Sequence, residues 1–378
     1  MSHHLVRRSN RHLASLATER PAHTANPRRR QIFPRLIAAA ALAATSVVAP
    51  VPSAAPTWTL RLATRYVPPD NSRSQYTDVL VTGRTAWFFG GSNFAGPGRP
   101  VAEVRSKGRF HTSQLPRGLH NWITGASAVS QNDIWAVTFL DGKVLHWNGS
   151  AWKVVRKGGW GTRGQFTDIV ALGSTNVWLF GGHGRAHPGA GTWHLIGSTW
   201  TRVRGMAADI AQASAVSATD LWGIGSIRGT RNALLRSDGY AWRQVTPANL
   251  VGFTYSFVLA IGPRDVWVAG SVSGIPELGH FNGKGWTTVT MPSAVPATSM
   301  CRDGRDGLWV IANFGRGQSV VLHRARHGAW TSVPVHATSS NEVLACALVP
   351  GTSAVFGAGK AAAPAGSAAA VYGFGRTP

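Results

Sequence analysis

The sequence predicts an all-β fold, a seven-bladed β-propeller of four-stranded blades, and three observations predict it. Six tryptophans, Trp87, Trp135, Trp178, Trp222, Trp267 and Trp309, recur 48, 43, 44, 45 and 42 residues apart, and Val355 continues the series 46 residues on. A second set, Phe110, Trp152, Trp200, Trp242, Trp286 and Trp330, recurs in six copies of the repeat. Between the two sets lie short runs of small and β-branched residues broken by turn dipeptides such as Asn148-Gly149 and Asn282-Gly283. A period of roughly 40 to 50 residues filled with short β segments marks a propeller, in which each repeat is one blade.

The elements follow in chain order. Residues 1–55 carry eight arginines, one glutamate and the apolar run 36–48, followed by small residues up to Ala54-Ala55. This reads as a signal peptide, because the run is 13 residues long and a membrane crossing takes about 20. Arg29-Arg30-Gln31-Ile32-Phe33 has the form of a twin-arginine signal, so export by the Sec or twin-arginine route and an extracellular location are expected, with no stable transmembrane anchoring.

Residues 56–378 are expected to form one propeller domain. Within a repeat, a first strand such as 213–216 leads through a polar turn into Asp220-Leu221-Trp222. A third strand then reaches an Asn-Gly or Asp-Gly corner, as at His146-Trp147-Asn148-Gly149, because those pairs take the positive φ of a hairpin turn. No second anchor follows Val355; 368–375 reads as a third strand, and 57–60 as an orphan fourth strand. Pairing the two ends in one blade closes the ring and removes exposed sheet edges.

A residue type that returns in register is assigned to the scaffold. Asp133, Asp220 and Asp265, with Asn176, stand two before the anchor and are expected to cap the first hairpin turn. His146, His194, His280 and His323 recur near the second anchor and are read as structural. Cys301 and Cys346 fall on first strands of adjacent blades, where a disulfide is feasible in an oxidising compartment; two buried thiols are the alternative.

Beyond residue 55, 30 basic and 14 acidic residues remain, a formal charge near +16, and 32 of the chain's 38 basic residues are arginine. An anionic partner is expected. For an exported chain that means a glycan, an anionic wall polymer or a protein; nucleic acid is not expected. The loops joining second to third strands and blade to blade share one face, where aromatic rings and arginines alternate. The candidate ligand-binding residues are Trp122, Trp160, Arg163, His183, Arg185, His187, Arg228, Arg231, Tyr255 and Arg316. His183 and His187 lie four apart without a neighbouring carboxylate or thiol, so no metal and no cofactor are expected. Asp70, Asp209, Glu277 and Glu342 are scattered over different blades, and the chain has no nucleophile elbow, phosphate-cradling loop or two-histidine helix motif.

The repeat as it stands at 130–137 and 145–152 resembles repeats of exported bacterial propeller proteins, similar to the WD40/YVTN/BNR-like group and to galactose-oxidase-type central domains. The Trp-x-x-Val pieces also look like those of tectonin-type lectin propellers. The resemblance implies the fold and, through the lectins, glycan binding. The chain departs from the enzymatic members, since only Ser237-Asp238-Gly239 comes near an Asp-box and the copper ligands of galactose oxidase cannot be placed. The expectation is a secreted, non-enzymatic binding propeller; the alternative is a secreted polysaccharide-acting hydrolase or lyase.

Overall fold

A computed structural model describes residues 60–375 apart from 94–97, 158–164, 182–189, 204–207, 228–229, 316–317, 336–340 and 365. They form seven four-stranded antiparallel sheets. Six blades are continuous in sequence: blade 1 over 74–112, blade 2 over 123–156, blade 3 over 168–202, blade 4 over 208–245, blade 5 over 253–290 and blade 6 over 297–334. The seventh has Glu342–Leu348, Ala354–Ala363 and Gly366–Gly375 as its inner strands and Arg61–Tyr66 as its outermost.

The N-terminal strand lies four residues later than 57–60. It pairs Arg61 with Gly373 and Tyr66 with Ala369; Leu60 precedes it, and 57–59 fall outside the described residues. An outermost strand touches its sheet along one edge, and here Arg61, Leu62 and Ala63 are exposed while Tyr66 packs inward. Little hydrophobic alternation marks such a strand, and Trp58 drew the sequence reading upstream.

Seven hydrophobic clusters fill the seven seams between blades. Each anchor tryptophan points from its own second strand into the following blade. Trp87 meets Trp152 edge-on at 5.7 Å and Trp178 meets Trp242 at 6.0 Å, the geometry that ring quadrupoles favour. The second-anchor ring thus belongs to the seam before its blade.

In blade 7 the anchor position belongs to Phe356, one residue after Val355. Val355 faces back into the seam with blade 6, whereas Phe356 faces blade 1 and meets Phe88 edge-on. The glycine that stands three after the anchor in most blades settles the alignment. A Cβ on Gly90, Gly225 or Gly270 would stand about 2 Å from a first-strand carbonyl, and Gly359, three after Phe356, has the same contact with Glu342 O. The periodicity alone was misled by a one-residue difference in blade length.

First strands carry a bulge in register from blade to blade, and its hydroxyl crosses to the next blade. Thr77 donates to Ile123 O, Thr124 to Phe166 O and Ser256 to Ala297 O. These bonds satisfy backbone groups that the bulge takes out of the sheet ladder.

Candidate functional site

The aspartates two before the anchors do not cap turns. Residues i and i+2 of a strand share a face, so Asp133 lies beside Trp135 and diagonally across from third-strand His146, which pairs with Trp135. Its Oδ1 accepts Trp135 Nε1 at 2.9 Å and pairs with His146 Nε2 at 2.8 Å, and its Oδ2 accepts Ser174 Oγ of the next blade. Asp265 binds Trp267 Nε1 and His280 in the same way. In blade 4 Arg236 replaces the histidine and donates to Asp220 at 2.8 Å. In blade 6 the position two before the anchor is Gly307, and Asp303 from the turn pairs with His323 at 2.9 Å. The recurring acids and histidines are clamps across blades 2, 5 and 6.

Two further acids hold blade to blade and went unnoticed in the sequence. Asp78 Oδ2 accepts Ala126 N and Asp168 Oδ2 accepts Ala213 N, both at 2.8 Å and both from the following blade. In the same register Gln212 Oε1 accepts Val258 N. Loss of solvation pushes each carboxyl up to about 7 against its backbone hydrogen bonds. Their signal was the shared register of 78, 125, 168 and 212, concealed because Gly125 occupies one of the four places. Glu103 accepts the Tyr76 hydroxyl in the seam of blades 7 and 1, and Glu342 pairs with Lys360 at 3.2 Å.

On the loop face, Trp160, Arg163, His183, Arg185, His187, Arg228 and Arg316 lie outside the described residues. Arg231 is in the third strand of blade 4, with its side chain outside what is described. Trp122 is half-buried and stacks on Phe139, centroids 4.8 Å apart. Gly91 makes room for it, since a Cβ there would stand 2.5 Å from Trp122 Cβ. Tyr255 is 9% exposed and packs on Phe253 in the seam of blades 4 and 5; burial pushes its hydroxyl up to about 12. Asp70 pairs with Arg99 at 3.4 Å on the surface. Cys301 and Cys346 are joined by a disulfide that links the first strands of blades 6 and 7. Among the described residues no group of three or more His, Cys, Asp or Glu could hold a metal ion.

At the opposite face, formed by the first-to-second and third-to-fourth strand turns, two seams open into clefts. The cleft between blades 7 and 1 has a volume of about 770 Å³, with Arg61, Arg84, Arg105 and Lys107 around an apolar wall that includes Phe356 and Phe374. The cleft between blades 5 and 6 has a volume of about 450 Å³ and is lined by Arg264, Arg302, Arg324 and Arg326 with Asp265 and Asp306. These arginines stand on turns and strands, whereas the candidates named from the sequence are residues of the variable loops.

No family model matches the chain, and no curated protein matches it in sequence. Solved structures do match in shape. YCF48 bound to D1 peptide superposes with a TM-score of 0.60 at 12% identity over 85% of this chain and 97% of that one. Virginiamycin B lyase from Staphylococcus aureus gives 0.61 at 9% identity over 85% of this chain and all of its own. Puromycin hydrolase gives 0.56 at 12% identity over 83% of this chain and 55% of its own. At such identities the likeness is one of fold, and that fold carries a peptide in one neighbour and catalysis in the others; the chain is a seven-bladed β-propeller.

Proposed function

We propose that the protein is an exported recognition propeller that holds an anionic partner on its cationic surface and leaves that partner chemically unchanged. The observation that carries this reading is how the acids are used. Asp78, Asp133, Asp168, Asp220, Asp265 and Asp303 are bound to backbone amides, histidines, indoles or an arginine within and between blades. Glu103 and Glu342 are buried. Much of the acidic charge is taken up within the scaffold while arginines such as Arg84, Arg99 and Arg302 stand exposed. A surface field of one sign draws in partners of the other.

The partner is a protein segment, an anionic wall polymer or an acidic glycan, and the peptide seen with YCF48 favours the first. A hydrolase or lyase reading rests on Asp78 and Asp168, whose raised carboxyls suit proton transfer at neutral pH. Each already accepts two backbone N–H groups, a bonding pattern that holds strands in register.

The test is a binding panel on the purified protein with acidic peptides, anionic polymers and neutral glycans, at low and at physiological salt, with bond cleavage read on the same samples. Saturable, salt-sensitive binding of anionic members without cleavage is expected. Cleavage of any member, or equal affinity for neutral and anionic members, would overturn the reading.

A further inference from the structure

One third-strand position lies over the anchor ring of the preceding blade in most seams. It pairs with the residue just before the anchor of its own blade. Three blades fill it with an aromatic ring: Trp147 meets Trp87 at 5.2 Å, Phe281 meets Trp222 at 5.9 Å and Phe374 meets Trp309 at 4.9 Å. Two blades fill it with arginine. Arg324 lies over Trp267 at 5.1 Å, and Arg105 lies over Phe356 at 5.1 Å. The two clefts described above open at these two arginine seams.

A scaffold that needed only packing would use a ring here, as three other blades do. The guanidinium carbon of Arg324 instead lies 5.1 Å from the centroid of the Trp267 ring, which also stacks on the imidazole of His280 at 4.0 Å. Burial pulls the Arg324 pKa down, and its Nε has no hydrogen-bond partner among the described residues. Its charge is uncompensated as well. Asp265, the acid in the cleft, already binds His280 and Trp267, and Asp306 pairs with Arg326 at 3.4 Å. Arg264, Arg302 and Arg324 have no carboxylate within ion-pair distance among the described residues, and four arginines against two aspartates leave the lining at +2. A partly desolvated guanidinium with free donors is costly unless an oxyanion meets it.

We infer that the cleft between blades 5 and 6 is a carboxylate subsite that takes an aspartate or glutamate side chain from an extended acidic segment of a partner protein. This deepens the anionic-partner reading and rests on it. The apolar walls select the peptide. Ile261, Trp267 and Leu308 line the cleft beside the arginines, so a carboxylate on a short methylene stem brings its charge to Arg324 and its stem to those walls.

The test is calorimetric titration of the full protein with an end-blocked hexaglutamate peptide, an end-blocked hexaglutamine peptide and a polyuronate. Wild type, Arg324→Gln, Arg302→Gln and Arg109→Gln are compared, with thermal melts to confirm folding. Arg109 is exposed on blade 1, away from the cleft. Hexaglutamate is expected to bind and hexaglutamine not. Arg324→Gln should weaken hexaglutamate by about tenfold, the weight of a hydrogen bond to a charged group, and Arg109→Gln by less than about twofold, as for a screened surface charge. If Arg324→Gln fails to fold, Arg302→Gln carries the test, with an expected loss of about threefold. Equal losses for cleft and Arg109 variants would overturn the subsite while leaving the anionic-partner reading intact. Arg324-dependent binding of polyuronate without hexaglutamate would overturn the peptide assignment. No binding of either anion would overturn both.

Discussion

At position 176 an asparagine stands where blades 2 and 5 carry aspartate. Its amide oxygen meets His194 Nε2 at 2.8 Å but supplies no charge, and Trp178 Nε1 has no hydrogen-bond partner among the described residues. Burial therefore holds His194 down at about 4, against an ordinary 6.5. The unfolded chain takes up that proton first, so this histidine's contribution to stability is complete above 6.5 and is lost as pH falls toward 4. Asn176→Asp is expected to raise the His194 pKa back toward its ordinary value and so to shrink this loss, read by NMR titration of the imidazole. Asp168 has the opposite sign. Its carboxyl rises from 3.8 to about 7, so the folded state holds the proton more tightly, and stability falls as pH rises across that window. The melting temperature of Asp168→Asn relative to wild type should therefore improve from pH 5 to about pH 7 and level off above it. A difference independent of pH would contradict the raised pKa.

At the scale of the elements, adjacent blades cohere through a seam of rings, bulge hydroxyls and, between blades 6 and 7, the disulfide Cys301–Cys346, 45 residues apart in sequence. By the chain-entropy model a loop of that length is worth about 4 kcal/mol. The double change Cys301→Ser with Cys346→Ser should lower unfolding stability by roughly 2–4 kcal/mol in a denaturant titration; no loss would mean that seam packing alone sets the stability. Truncating Trp309, 1% exposed, should cost about 3–5 kcal/mol on the same assay. The repeat made these strands legible, because an indole buried in six of the seven seams leaves a period that survives variable loops. Val355 was misplaced because a repeat that lacks its tryptophan loses its register mark. The paired cross-strand roles of Asp133 and His146 were invisible one residue at a time, since they depend on which residues face each other across a hairpin. The cleft was written in the sequence all the same. Leu145-His146-Trp147 and Leu322-His323-Arg324 are the same strand with one residue exchanged, and only the structure shows that the exchange lies over the neighbouring blade's anchor.

For the whole molecule, closure joins the strand Arg61–Tyr66 to Gly366–Gly375, and this hides an edge that would otherwise offer unpaired backbone to another copy. A chain beginning at residue 67 should self-associate in sedimentation experiments where the full protein does not. The net charge acts at the same scale. Many acids serve the scaffold within and between blades, arginines stand on the exterior, and the proposed function rests on that division of labour. The most direct measurement is the affinity of the best anionic ligand at two salt concentrations, with the ligand recovered afterwards and checked for cleavage. The account predicts saturable binding that weakens markedly from about 50 to 200 mM salt, as screening shortens the reach of the surface field, with the ligand recovered intact. Affinity indifferent to salt, or a cleaved ligand, would contradict it.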